Sequence, residues 1–415
     1  MRGWFASFPL LSFRLDWPEP AFEVIAEEFV LATASAASRS SDTPTRELNG
    51  DLQAAVQELQ RQAHSLFCDQ SLARLIPYEL RGSKVDEAAV ATSTRDIADS
   101  ALSTTEAIAL DFLCRGGKYA RPTITLAAYW AACDGAGADF IANIPVEAQR
   151  VAVAIEAFHK ASLVHDDIED DDDFRYGRKT LHREHDVATA INVGDYLIGL
   201  GYRLVSQPGE SIDSAALLDI TRCMAGAHRR LTEGQGAELV WRGGEFDNLS
   251  LDDALEIYAL KTAPAFEAAL YSGVRLAHPA GLLAETIRQF ARELGVGFQI
   301  LNDLGDWKHD ESNKLTAGGD VLGHRPTMLL ALALKLLPAT EATEMLAILT
   351  KPGHGNPVKI DLIERFYLQA GVFDAARNLV ADCHKRADSI ADGVKHQRLR
   401  GLLRYLAGRV LRPSN

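Results

Sequence analysis

From Asp51 onward, apolar residues recur three and four positions apart. Leu52, Val56, Leu59 and Ala63 open the series, and this spacing predicts an amphipathic helix. The same period predicts helices over 123–133, 147–166, 186–206, 213–240, 252–276, 281–307, 326–336, 339–350, 358–370, 372–392 and 395–410. Ser103-Thr104-Thr105-Glu106 has the form of a capping box and predicts a helix start. That helix runs to Cys114 and stops at Gly116-Gly117, and Pro122 falls in the first turn of the next. No stretch alternates long enough to make a strand, and no short repeat is visible. The pattern predicts one all-α domain over 49–415 behind an N-terminal extension and linker, 1–48. Within 1–48, an aromatic stretch holds a short candidate helix, Glu23 to Ala32, and a Ser/Thr-rich linker follows from 34 to 48. The stretch reads as an arm docking on its own domain or another subunit, with a partner or membrane-surface contact as the alternative. Residues 81–95 read as a polar surface connection.

Composition narrows the class. The 415 residues, 47% hydrophobic and 24% charged, are ordinary for a globular chain. A net charge of −14 argues against nucleic acid as the main partner. Five scattered cysteines without a CxxC pair point to buried thiols in a reducing compartment. No apolar run approaches the length of a membrane span. The opening Met1-Arg2-Gly3-Trp4-Phe5 is mildly signal-like, but Asp16 and Pro18 interrupt it, so the expected location is cytoplasmic.

The candidate chemistry gathers at helix ends. Leu163-Val164-His165-Asp166-Asp167-Ile168-Glu169-Asp170 carries an apolar helix into a run of carboxylates. Asp166 and Asp170, four apart, share one helix face, where their mutual repulsion suits a hard divalent cation such as Mg²⁺. Arg175 follows as a cation for phosphate oxygens. A second apolar helix ends in Asn302, Asp303 and Asp306, and two such ends can face each other across a bundle cavity. Gly116-Gly117-Lys118-Tyr119-Ala120-Arg121-Pro122 forms a small anion cradle built on Lys118 and Arg121. Lys261-Thr262, flanked by apolar residues, requires an anionic partner for a half-buried lysine. A loop from Lys314 to Arg325, with Asp320 inside it, is placed to close over phosphate.

Taken together and in this order, these stretches resemble the trans-polyprenyl diphosphate synthases, a family of the isoprenoid synthase fold. The resemblance covers about residues 50 to 400. Asp166 to Asp170 matches its first DDxxD motif, and Arg175 to His182 matches the following RRGxPTxH. Gly116 to Pro122 matches GGKRxRP, Lys261-Thr262 matches KT, and Phe298 to Asp306 matches FQxxDDxxD. Asn192 to Asp195 and Gly234-Gln235 match weaker landmarks. The resemblance implies a helical bundle with a central cavity and a homodimer. It implies Mg²⁺ on Asp166 and Asp170, with Asp167 near and Asp303 and Asp306 opposite. Arg175, Lys261, Thr262, Gln299 and Arg325 would lie around an allylic diphosphate. Lys118, Arg121 and His159 would hold isopentenyl diphosphate. The implied reaction is ionisation of the allylic diphosphate in a dry cavity, attack by the second double bond, and loss of a proton.

Three positions depart from the pattern. Tyr119 and Tyr176 stand where it has arginine, and Asn302 stands where it has the first aspartate of the second motif. Asn302, Asp306 and Asp310 also fit the metal triad of class I terpene cyclases, which need no isopentenyl diphosphate. A non-catalytic regulatory subunit is a further alternative. Small residues at Ala161 and Ser162, with Phe158 deeper, imply a product of C20 or longer.

Overall fold

The computed structural model describes residues 43–76, 95–133, 138–207, 209, 212–242, 249–277, 283–307, 318–323, 325, 327–350 and 357–412. The chain opens with α1 (Thr43–Ser65), α2 (Asp69–Leu75), α3 (Arg95–Cys114), α4 (Ala120–Ala132) and α5 (Ala138–Ala142). The long α6 (Val146–Glu169) leads to the hairpin β1 (Phe174–Arg175) and β2 (Arg178–Lys179). Next come α7 (Leu181–Glu184), α8 (Val187–Val205), α9 (Ser214–Arg242), α10 (Leu251–Ala277) and α11 (Ala284–Asp306). The C-terminal part holds α12 (Gly319–Leu322), α13 (Met328–Leu336), α14 (Ala339–Thr350), α15 (Pro357–Gln369), α16 (Val372–Asp392) and α17 (Gln397–Val410). The fold is all-α, as the periodicity predicts.

Helix α10 is the hub. It packs against α4, α9 and α11, and touches α6 and α13 as well. Its sequence explains the position: from Ile257 onward apolar and small residues dominate, with Ile257, Tyr258, Phe266, Ala269 and Leu270 buried, and only its first turns, at Asp252, Asp253 and Glu256, face solvent. Glycine lets its neighbours come close. A Cβ on Gly234 of α9 would sit 2.7 Å from the backbone nitrogen of Lys261, and one on Gly295 of α11 would sit 2.5 Å from that of Ala263. Both helices therefore meet α10 at the Lys261-Thr262 turn. Helix α6 is similarly buried through Ala148, Val151 to Ile155, Ala157, Ala161, Leu163 and Val164, with Glu147, Glu156 and Lys160 buried among them, and its C-terminal end turns acidic.

Several sequence expectations need correction. Ser103 does not start a helix, because α3 already begins at Arg95 and the capping-box residues lie inside it. The linker expected up to residue 48 is helical from Thr43. Strand was not expected, yet Phe174 pairs with Lys179 and Arg175 with Arg178. The two residues between them, Tyr176 and Gly177, both have positive φ, 54° and 70°, as a tight two-residue hairpin requires. Such short strands leave no alternation to read. Of the cysteines, Cys383 is buried but Cys68 is exposed. The short helix expected at 23–32, the connection at 81–94, and Lys314 and Asp310 lie outside the described residues.

Candidate active site

The C-terminal end of α6 supplies the first acidic group, and each carboxylate there has its own surroundings. Asp167 is buried and takes a 2.9 Å hydrogen bond from Nε of Arg175, which also lies 3.5 Å from Asp172. Arg175 thus braces the acidic turn from within the hairpin. Asp170 accepts from Arg242 at 2.5 Å and from Arg325 at 3.1 Å. Asp166 feels burial first, and Asp170 and Glu169 add repulsion that Lys261 offsets, so its pKa is pushed up to about 7. Burial likewise pushes Asp167 up to about 6 and Asp172 up to about 7. Gln235 donates to Glu169 at 2.7 Å, tying α9 to the same turn.

The sequence expectation for Lys261 holds: its anionic partner is Glu238, to which its ammonium donates. Glu238 lies one turn before Arg242 on α9 and also accepts from it at 2.5 Å. Burial opposes the charge on Glu238, but Lys261, Arg325 and Arg242 outweigh it and hold this carboxyl well below the usual range. Thr262 donates to Gln299 at 3.2 Å, which joins the Lys-Thr turn of α10 to α11.

The second acidic end, on α11, divides its labour. Asp303 is turned into the protein: its Oδ2 accepts from the Tyr258 hydroxyl and, at 3.0 Å, from the backbone N–H of Met328. The same N–H lies 2.9 Å from the Tyr258 oxygen. Placing Asp303 among the metal ligands therefore needs correction for this oxygen, which the core already uses. Asp306 accepts from the backbone N–H of Asp320 at 3.1 Å. Asp320 also lies 3.9 Å from Arg325. Burial raises the pKa values of all three; Asp320 adds repulsion at Asp303 and Asp306 adds it at Asp320, while at Asp306 the backbone N–H groups of Asp320 and Gly319 oppose the rise. Asn302 Oδ1 is buried with no hydrogen-bond partner.

The two acidic ends are thus joined through cations. Asp170 leads through Arg325 to Asp320 and Asp306, and through Arg242 and Glu238 to Lys261. Among the described residues, no three His, Cys, Asp or Glu side chains already stand as a metal-ligand set. A second group of cations, Arg121, Lys160 and Arg175, acts on His159. The Arg121 charge is opposed by burial and favoured by Glu156 and Asp166. His159 is held neutral, its pKa driven well below the usual value by burial and by Arg121, Lys160 and Arg175. Lys118 stands between Gly117 and Tyr119 in the intervening loop.

Sequence reasoning missed Glu238, Arg242, Tyr258 and Lys160. The four-residue spacing of Glu238 and Arg242 was the one local signal available. The hydrogen-bond partners of Tyr258 and Lys160 lie 44 and more positions away, beyond any local pattern.

Comparison with known proteins places this arrangement. A short chain isoprenyl diphosphate synthase from Methanocaldococcus jannaschii is 29% identical over 241 residues, 57% of this chain and 68% of that protein. A geranylgeranyl diphosphate synthase from Cereibacter sphaeroides is 32% identical over 255 residues, 60% of this chain and 80% of its own. Among solved structures, a polyprenyl synthase from Caulobacter crescentus CB15, complexed with calcium and isoprenyl diphosphate, superposes with a TM-score of 0.63 at 26% identity. It covers 86% of this chain and 98% of that one. No helix among the described residues is long and apolar enough to cross a membrane. The polyprenyl synthetase family model matches residues 104–363, more than half the chain, and the protein belongs to that family.

Proposed function

We propose that the protein condenses isopentenyl diphosphate with an allylic diphosphate to give a trans-polyprenyl diphosphate of C20 or longer. One observation carries the choice of elongation over cyclisation. Cations reach the acidic end from two networks: Lys261, Arg242 and Arg325, paired with Glu238 and Asp170, and Arg121, Lys160 and Arg175, whose charges hold His159 neutral. A cyclase has one diphosphate to hold; a chain-elongating enzyme has two.

The donor set fits Mg²⁺. Asp166 and Asp306 are carboxyls whose charge burial disfavours, and Asn302 presents a buried oxygen with no partner. A hard divalent cation reverses such penalties. Asp166, Asp170, Asn302 and Asp306 would hold it, with Asp167 and Asp303 keeping the two helix ends in shape. When bound, Mg²⁺ supplies charge that stabilises the departing diphosphate. Lys261, Arg242 and Arg325 then turn from their carboxylate partners to phosphate oxygens. Arg121, Lys118 and His159 orient isopentenyl diphosphate so that its double bond faces the allylic carbon. The buried residues of α6 and α10 keep water from the carbocation.

Product length follows from the face of α6 above Asp166. Ala161 is buried and small, and Ser162 Oγ is turned back onto the His159 carbonyl at 2.8 Å. Phe158 is wedged against Tyr202 and His228, with ring centroids 4.8 and 5.9 Å apart. His228 also lines an open cleft of about 500 Å³ on α9. Phe158, two turns before Asp166 on α6, would be the first bulky side chain a growing product meets there, which suits C20 or longer. The reading includes a homodimer, and a cytoplasmic location that the five free cysteines favour.

The deciding experiment incubates the protein with Mg²⁺ and allylic diphosphates, with and without isopentenyl diphosphate. Longer diphosphates that appear only with isopentenyl diphosphate support the reading. A cyclic hydrocarbon or alcohol from the allylic substrate alone would replace it with the cyclase, and products ending at C15 would reject the length.

A further inference from the structure

Lys160 is fully buried, a rare place for a lysine. It rises from α6 beneath the turn between α3 and α4. Its ammonium donates to the carbonyls of Arg115 at 2.5 Å and Gly116 at 3.1 Å. It lies 3.9 Å from the centre of the Tyr176 ring, 5.3 Å from that of Phe112 and 5.9 Å from that of Tyr119. These ring faces and carbonyls stabilise a cation that burial would otherwise disfavour.

The two tyrosines in this shell are the residues that stand where the family pattern has arginine. Neither replaces a guanidinium at a phosphate. Tyr119 is turned away, stacked on Phe67 at 4.1 Å and donating to the Cys114 carbonyl at 3.2 Å. Tyr176 is carried by the hairpin onto Gly116, where a Cβ would meet its ring at 2.9 Å. Both therefore build a cage, and the charge inside the cage is Lys160.

The cage also orients the loop. With the carbonyls of Arg115 and Gly116 drawn onto the ammonium, the N–H groups of the same trans peptides, on Gly116 and Gly117, point away from it. Gly116 and Gly117 have φ of 50° and 98°, and consecutive outward N–H groups in such a turn form an anion-binding concavity.

We propose that Lys160 is a positioning residue for the isopentenyl diphosphate subsite. It fixes the Gly116-Gly117 turn that leads into Lys118 and Arg121, and it supplies from beneath the positive charge that Tyr119 and Tyr176 do not. This rests on the elongation reading above. The test measures KM for each substrate on the purified full-length chain. Lys160→Gln keeps a donor for the carbonyls but removes the charge. It is expected to raise the isopentenyl diphosphate KM about tenfold or more while the allylic KM stays within about twofold, and Lys160→Arg is expected to restore most of the loss. Equal KM values for wild type and Lys160→Gln, or equal rises for both substrates, overturn the proposal. If Lys160→Gln does not fold, the double variant Lys160→Gln/Tyr176→Arg puts a guanidinium back at the hairpin. Recovery of fold and isopentenyl diphosphate affinity supports charge relocation, and an unfolded or still impaired double variant overturns it. A wild-type protein that elongates normally beside an unaffected Lys160→Gln removes this inference alone. A wild-type protein that never uses isopentenyl diphosphate removes the elongation reading with it.

Discussion

Arg325 donates to Asp170 at 3.1 Å across 155 positions of sequence. This contact ties the segment after α11 to the acidic end of α6 and gives Asp170 a second cation beside Arg242. Both partners are largely shielded, with side chains 15% and 12% exposed. In the proposed reaction such a pair would balance the carboxylate before substrate binds and would free a guanidinium for phosphate oxygens afterwards.

Arg325→Gln tests that role. Asp170 keeps Arg242, and the more distant Asp320, already pushed up to about 7, loses one cation, so the melting temperature should fall by no more than a few degrees. A lost charge-assisted contact is worth about 1.5–3 kcal/mol, or roughly a 10- to 100-fold rise in the allylic diphosphate KM. The isopentenyl diphosphate KM should stay within about twofold. Steady-state kinetics with each substrate varied in turn would check it, and an unchanged allylic KM would remove Arg325 from the site.

The periodicity located nearly every long helix, because a buried stripe repeats whatever it packs against. The observed α9, Ser214–Arg242, differs from the expected 213–240 by two residues at most. The acidic ends at Asp166 and Asp306 were equally legible, since an apolar helix that turns into carboxylates needs an unusual neighbour. What stayed hidden are the partners that the fold brings from afar. Lys261 announced that it needed an anion, but nothing local named Glu238. Asp303 read as a metal ligand because its spacing is right, and only the approach of Tyr258 and Met328 shows that one oxygen is committed to the core. Lys160 read as one more residue on a helix, since its cage is assembled from three other segments.

Tyr258→Phe follows from that core role of Asp303. The hydroxyl bridges α10 to α11, and the Met328 N–H ties the start of α13 to both groups. Its removal leaves a buried carboxyl short of one donor, at a cost of about 1–3 kcal/mol. Urea unfolding should show a lower midpoint with unchanged slope. Turnover at saturating Mg²⁺ and substrate should remain within about tenfold of wild type. A stable variant with no turnover would instead place Tyr258 and Asp303 in the chemistry.

Stability should depend on pH in an unusual direction when metal is absent. Asp166 and Asp172 are pushed up to about 7 and Asp167 to about 6, mainly by burial. Each binds its proton more tightly folded than unfolded. Their stabilising contribution is complete below about pH 4 and is lost as pH rises through 6 to 7. His64, His159, His182 and His228, all lowered mainly by burial, pull the other way as pH rises through about 6.5. With Asp303, Asp306 and Asp320 added, the raised carboxyls outnumber them, so in EDTA the melting temperature should fall between pH 5 and pH 8. Added Mg²⁺ should raise it most at pH 8, where the carboxylates are free to bind. Calorimetry at both pH values, with and without metal, would check it. A melting temperature in EDTA that is flat or rises over this range would show that the burial of these carboxyls is not felt.

Asn302 offers the sharpest view of the second acidic end. Its buried Oδ1 lacks a hydrogen-bond partner, while Asp303, Asp306 and Asp320 crowd the same region with raised pKa values. As a proposed metal ligand, an amide oxygen there would add a donor without adding charge, which would keep the metal-free protein tolerable at the expense of cation affinity. Asn302→Asp should invert that compromise. A fourth carboxyl among three should lower the melting temperature in EDTA by a few degrees. Saturating Mg²⁺ should abolish this difference, and the Mg²⁺ concentration at half-maximal elongation should fall several-fold. A variant that is destabilised equally with and without Mg²⁺, and needs just as much of it, would mean that residue 302 faces protein and not metal.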